Sequence, residues 1–255
     1  MNDRIPVSRP HFYGRESEYV AEAMASTLIS GGGPFVERME ALVSGAAGTR
    51  SAVAVANGTV ALDLALSVLG VAPGDEVIVP DFTMFSPIGA VLRSGARPVP
   101  VDADCTWNMD PAAVEFAITP RTRGIVMVHT YGHPADGTAL RRIADRHGLW
   151  LLEDAAEAMG ATLDGRPVGS FGTVATFSFY SNKVVTSGEG GAVVSDDHAL
   201  VERMRCLRNL AFGPDWETRF VHDAIGFNFR LSNVLAAIGC AQLENLDEAV
   251  RSKRA

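Results

Sequence analysis

The stretch SAVAVANGTVALDLALSVLG, residues 51–70, decides the fold. Ser51 to Val55 is short and apolar and reads as a buried strand, Asn57-Gly58 as a turn, and Thr59 to Leu69 as a helix that Gly70 ends. Pro73-Gly74 closes the loop behind it. Strand, tight turn and helix in that order present backbone N–H groups beside a strand end, a geometry that binds ligands. The alternation continues outward. Further strands are predicted at Glu76 to Val79, Arg97 to Val101, Gly124 to His129, Leu149 to Leu152, Thr173 to Phe179 and Gly191 to Ser195, with helices between several of them. That is the rhythm of βαβ units, and it predicts an α/β fold with a mostly parallel sheet between helices. Upstream, Glu16 to Leu28 and Pro34 to Ala46 read as helices parted by Gly31-Gly32-Gly33, and a last helix runs from about Ser232 to the C-terminus.

A chain of 255 residues with 47% hydrophobic content can bury a real core, which sets it apart from disordered sequences. Its formal net charge of -8 argues against a nucleic-acid partner or an anionic membrane surface, while leaving room for a basic pocket around one phosphorylated ligand. Cys105, Cys206 and Cys240 lie far apart, fit no metal spacing or paired disulfide framework, and read as packing residues in a reducing cytoplasm. MNDRIPVSRP at the start lacks an apolar targeting core, and no apolar run approaches membrane-spanning length. A cytoplasmic protein with no membrane partner is expected.

Three features carry chemistry. The apolar run Leu151-Leu152 ends in Glu153-Asp154, which places a carboxylate at the C-terminal edge of the sheet, where open α/β folds bind ligands. Asp154 is the better candidate of the two, although an aspartate there serves equally as the cap of a turn. In FSFYSNKVVTSGEGG, Lys183 stands between an apolar strand and a glycine-rich turn. A surface lysine is the ordinary reading, but Ser178, Asn182, Ser187 and Gly188-Glu189-Gly190-Gly191 describe a constrained loop. An amine held there can lower its pKa and form a Schiff base with a carbonyl. The third feature is Asn57-Gly58-Thr59, which offers a helix N-terminus to a phosphate, or is plain helix capping. Pyridoxal phosphate needs a lysine for its aldehyde, an acid for its ring nitrogen and a cradle for its phosphate, and the three features match those needs.

These residues sit in longer segments: VANGTVALDLAL, GDEVIVPDFTM, GARPVPVDAD, TWNMDP, HTYGHPADG, LLEDAAEAMGA, VGSFGTVATFSFYSNKVVTSGEGGAVVSDD and GFNFRLSNVLAAIGCAQLENL. Together they resemble the DegT/DnrJ/EryC1/StrS group of pyridoxal-phosphate sugar aminotransferases, along essentially the whole chain. The resemblance implies the fold-type I pyridoxal-phosphate transferase fold. It also implies an amino group taken from an amino acid, glutamate by resemblance, and delivered to a nucleotide-linked sugar. TWNMDP, YGHPAD and FSFYSNK look most like the members that aminate 4-keto-6-deoxy sugars. At matching positions it implies Lys183 as Schiff-base lysine and proton carrier, Asp154 as partner of the pyridinium nitrogen, and Gly58, Thr59 and Ser178 as phosphate contacts. Glu157 falls near the cofactor ring, and Asn228 matches an asparagine that reaches the phosphate of a neighbouring subunit, so a homodimer with shared active sites is implied.

Some positions depart from the family's pattern. The aromatic residue that often stacks on the ring is replaced by Met84, which can still pack a ring face, and a histidine common among 4-aminotransferases is Met159. His222 keeps that subgroup's histidine before GFNFR, or is a surface residue; His129 and His133 read as either core or surface. The resemblance divides the chain into an N-terminal segment (1–30), a large cofactor-binding domain (31–230) and a connecting helix (231–255). Family members continue beyond it into a small domain that closes over substrate, here absent. Its loss would spare much of the cofactor site, damage enclosure, and leave apolar surface on the last helix for another chain to cover. Two other readings follow: a catalytically weak cofactor-binding subunit that needs a partner chain, and a sugar dehydratase of the same family, which Lys183 opposes because those relatives carry histidine there.

Overall fold

A computed structural model describes residue 6, residues 8–213 and residues 215–255. Two helices come first, α1 (Glu16–Ala25) and α2 (Pro34–Ala47). The alternating part follows: β1 (Ser51–Val55), α3 (Gly58–Val68), β2 (Glu76–Pro80), α4 (Phe85–Arg93), β3 (Arg97–Val101), α5 (Pro111–Ala117), β4 (Thr122–Val128), α6 (Gly137–His147) and β5 (Trp150–Asp154). A two-residue hairpin, β6 (Thr162–Leu163) and β7 (Arg166–Pro167), precedes β8 (Val174–Ser178), β9 (Gly191–Ser195) and α7 (His198–Arg208). The last elements are α8 (Asn233–Leu243) and α9 (Leu246–Arg254).

The main sheet has the order β1-β9-β8-β5-β4-β2-β3. Neighbours from β8 to β3 are parallel, while β9 runs antiparallel to both β1 and β8. Strands β2, β8 and β9 are buried along their whole length, as expected when helices cover both faces. Alternation sends successive side chains to opposite faces. Val126 and Leu152 pack with Leu62 of α3 and Met204 of α7 on one face. Ile125 and Leu151 pack with Leu140 of α6 on the other, where Ala175 and Phe177 meet α2 and α8 further along.

The predicted strands recur within two residues, and four expectations need correction. The first helix ends at Ala25 rather than Leu28, because Ser26 Oγ turns back onto the Ala23 carbonyl and Thr27 takes φ +62°. The last helix is two: Asn245 Nδ2 donates to the Ala241 carbonyl at 2.9 Å, and the chain turns before Leu246. Its apolar face is not bare, since none of the exposed large hydrophobic residues among the described residues lies in α8 or α9, and α8 is packed against α1 and α2. Of the three cysteines only Cys240 is fully buried, its thiol pushed up to about 12 by burial; Cys105 is exposed and packs nothing. Among the described residues no helix is long and apolar enough to cross a membrane.

Candidate active site

Two strands and a loop end at one edge of the sheet and carry the predicted residues there. Strand β5 ends in Asp154, β8 ends in Ser178, and the loop after β8 carries Lys183. Helix α3 begins at the same edge, because Asn57 is extended (φ −167°) and its side-chain oxygen accepts the Val60 N–H at 3.0 Å. A cavity of about 470 Å³ is lined by Gly58, Thr59, Asp154, Glu157, Ser178 and Lys183, with Met84 on its wall. The structure thus brings together seven of the eight predicted site residues. Asn228 stands apart from the cavity, exposed, its Oδ1 accepting two N–H bonds from Arg230.

Gly58 sits where three elements approach closely. A Cβ at Gly58 would lie 2.8 Å from the Cβ of Ser178, and one at Gly191 would lie 2.5 Å from the Asn57 backbone. Only glycines let β8, β9 and the start of α3 approach so closely, so the Ser178 hydroxyl and the first amides of the helix share one small concavity. Thr59 adds a second hydroxyl, 3.2 Å from that of Ser86.

Asp154 is buried at 6% exposure, and the one hydrogen bond its carboxylate makes among the described residues is from the Ala156 N–H at 3.1 Å. The cap-like contact offered as the ordinary reading is therefore present, and the carboxylate faces the cavity as well. Burial pushes its carboxyl up to about 6, against the pull of the Ala156 amide and of Lys183. Lys183 is largely covered, with Nζ 3.4 Å from Glu157 Oε1. The other oxygen of Glu157 accepts the N–H of Tyr131 at 3.0 Å, which holds that residue at φ +52° in a short turn, Thr130–Gly132. Two more cavities open on the same lysine. One, of about 270 Å³, is walled by Phe82 and Tyr131; the other, of about 390 Å³, by Met159, Val250 and Arg254. Lys183 and Glu157 line all three.

A buried acid lacking a close cation, a lysine at the cavity wall and a glycine-walled helix N-terminus fit pyridoxal phosphate. Sequence reasoning missed Ser86, Phe82, Tyr131 and Tyr180, which also line these cavities. Tyr131 had one usable signal, the Gly132 that follows it: a Cβ there would strike the Glu157 carbonyl at 2.8 Å. Of the histidines, His129 is fully buried, whereas His133 and His222 are exposed.

The family model for the DegT/DnrJ/EryC1/StrS aminotransferases matches residues 11–255. The chain is 45% identical over 251 residues to GDP-perosamine synthase of Caulobacter vibrioides, covering 98% of the chain and 67% of that protein. It is 39% identical over 261 residues to EpsN of Bacillus subtilis, named a putative pyridoxal phosphate-dependent aminotransferase, covering all of the chain and 67% of that protein. The solved structure of 3-amino-5-hydroxybenzoic acid synthase superposes with a TM-score of 0.91 at 42% identity, over 98% of this chain and 66% of that one. The chain thus spans about two thirds of the length of these relatives.

Proposed function

The chain belongs to the DegT/DnrJ/EryC1/StrS aminotransferase family, whose members use pyridoxal phosphate, and from that premise we propose a sugar-nucleotide transaminase. It takes an amino group from an amino acid, glutamate being the proposed donor, and delivers it to the keto carbon of a nucleotide-linked 4-keto-6-deoxy sugar. The convergence of Lys183, Asp154 and the Gly58–Ser178 cradle on one cavity carries this reading. The similarity to GDP-perosamine synthase supports the sugar; the likeness to a hydroxybenzoate-forming relative shows how widely such folds are used.

Bound in that cavity, pyridoxal phosphate supplies an electron sink for a carbanion on the carbon beside the reacting nitrogen. Gly58, Thr59 and Ser178 hold its phosphate with backbone N–H and hydroxyl groups at the positive end of the α3 dipole. Asp154 stays ionised above about pH 6 and keeps the ring nitrogen protonated by charge pairing. Met84 packs a ring face. Lys183 would hold the cofactor's aldehyde carbon, and its Nζ would move the proton at the reacting carbon, with Glu157 at 3.4 Å as its counter-ion. We place residues 31–230 in the cofactor-binding domain and 231–255 in a connecting segment. Asn228 is flanked by exposed Phe220, Val221 and Ile225, an apolar surface suited to a second copy. In the proposed homodimer Asn228 reaches the partner's phosphate site, and the protein works in the cytoplasm.

The visible absorption spectrum with pyridoxal phosphate, before and after glutamate, tests the reading. The wild type is expected to turn yellow and bleach with glutamate, while Lys183→Ala gives no lysine-dependent band. A wild type that binds cofactor yet responds to no amino acid would favour the partner-dependent subunit.

A further inference from the structure

Behind Asp154, on the opposite face of β5, lies a buried pair with no part in the mechanism above. The side chains of His129 and Glu153 are both fully buried, with Nε2 3.1 Å from Oε2. His129 Nδ1 accepts the N–H of Ala135 at 3.0 Å, so it carries a lone pair and no proton. The single ring proton is therefore on Nε2 and is donated to Glu153. Glu153 also accepts the amides of Gly169, at 2.8 Å, and Gly172. A Cβ at Gly172 would strike the carbonyls of Val174 and Leu151, and one at Gly169 would strike Phe177, so only glycines let this loop pack where its amides meet the carboxylate. Among the described residues the carboxylate has three donors and no cation.

An unpaired buried carboxylate beside a neutral imidazole is a costly arrangement, and apolar residues of similar volume would serve packing at least as well. What the pair adds is position. It ties the end of β4, the end of β5, the loop at Ala135 and the loop at Gly169–Gly172 to one point. The His129 N–H bonds the Asp154 carbonyl at 3.2 Å, Asp154 is the next residue after Glu153, and Thr130-Tyr131 follow His129 directly into the cavity wall. We propose that neutral His129, as its Nε2–H tautomer, and ionised Glu153 are positioning residues that fix the sheet edge, so that the Asp154 carboxylate and the Tyr131 turn face the cofactor cavity. This rests on the proposed function for what Asp154 meets there, but not for the tautomer or the clamp.

The charged and titratable groups around Asp154 are Lys183 and Glu157 on the cavity side and His129 and Glu153 behind it. In ¹⁵N-histidine NMR of the wild type, His129 is expected to show a protonated Nε2 and a bare Nδ1. A protonated Nδ1 overturns the proposal. The second measurement compares His129→Gln, whose amide N–H reaches toward Glu153 from the place of Nε2, with His129→Asn, whose oxygen can meet only Ala135. His129→Asn is expected to weaken pyridoxal phosphate binding roughly tenfold or more and to shift the pH midpoint of its visible band, and His129→Gln to restore both. Equal losses of melting temperature in the two variants with an unmoved midpoint would make the pair mere packing. If the wild type binds no pyridoxal phosphate, the proposed function fails on its own. The ¹³C carboxyl titration of Asp154 in the cofactor-free variants then decides: a midpoint displaced in His129→Asn and restored in His129→Gln supports the clamp, and one unmoved in both overturns it.

Discussion

The same sheet buries a carboxylate at each of its two edges and treats them in opposite ways. Glu76 opens β2 with its side chain 3% exposed. Thr119 Oγ1 donates to it, Arg121 grips it at 2.7 Å and Arg97 stands at 3.4 Å, and those bonds, Thr119's first, hold its carboxyl below the usual range. Asp154 closes β5 with comparable burial but one amide for company, and its carboxyl is pushed up to about 6. A carboxylate met by arginines has its partners supplied, whereas one left short of them can take a ligand, the role proposed for Asp154. On that proposal, partner supply rather than burial alone separates the two acids.

The largest expected effect that tests this contrast is at Asp154. Asp154→Asn should cut the transamination half-reaction on the order of 10²–10³-fold, read by single-turnover bleaching with glutamate. The same change should stabilise the cofactor-free protein. A carboxyl raised from 3.8 to about 6 on folding stabilises the fold at low pH, and that contribution is lost as pH rises from about 4 through about 6. Denaturant melts should therefore find the asparagine variant firmer by up to about 3 kcal/mol at pH 8, with no difference below pH 4. A destabilised variant at pH 8 would break the comparison.

A smaller effect is expected at the cradle. Gly58→Ala puts a Cβ 2.8 Å from Ser178, and equilibrium titration with pyridoxal phosphate should show an affinity about tenfold weaker, with an unchanged pH midpoint of the visible band. The smallest lies at the far edge. Glu76→Gln should lower the melting temperature by about 2–4 °C at neutral pH and leave the cofactor spectrum untouched. Because folding depresses the Glu76 carboxyl, that deficit should disappear as acid protonates the wild-type residue. A Glu76 variant that alters the spectrum would mean that the two edges are not separable.

How far the sequence foretells these edges depends on whether a residue's job is local. The strands were legible as apolar runs, the start of α3 from Asn57-Gly58, and Asp154 and Lys183 from their places at the end of one strand and in a glycine-rich loop. The hairpin at Thr162–Pro167 was missed even though Asp164-Gly165, both at positive φ, spell its turn, because strands of two residues give no period to read. The split between α8 and α9 was hidden because Asn245 breaks the helix through its own side chain while the apolar pattern runs on. His129 was illegible for a different reason: its state is set by Ala135, Gly169 and Glu153, which only the fold brings together.

Three cavities meet at Lys183 and Glu157, and this shared wall has a kinetic consequence. In the proposed reaction, amino donor and keto acceptor, whichever side each enters from, would meet the cofactor at this same wall and could not occupy it together. Each should then obstruct the other's turn, so that a rising excess of either substrate slows turnover after first raising it. On that reading, the working range would be set by the ratio of the two substrates as much as by the amount of either.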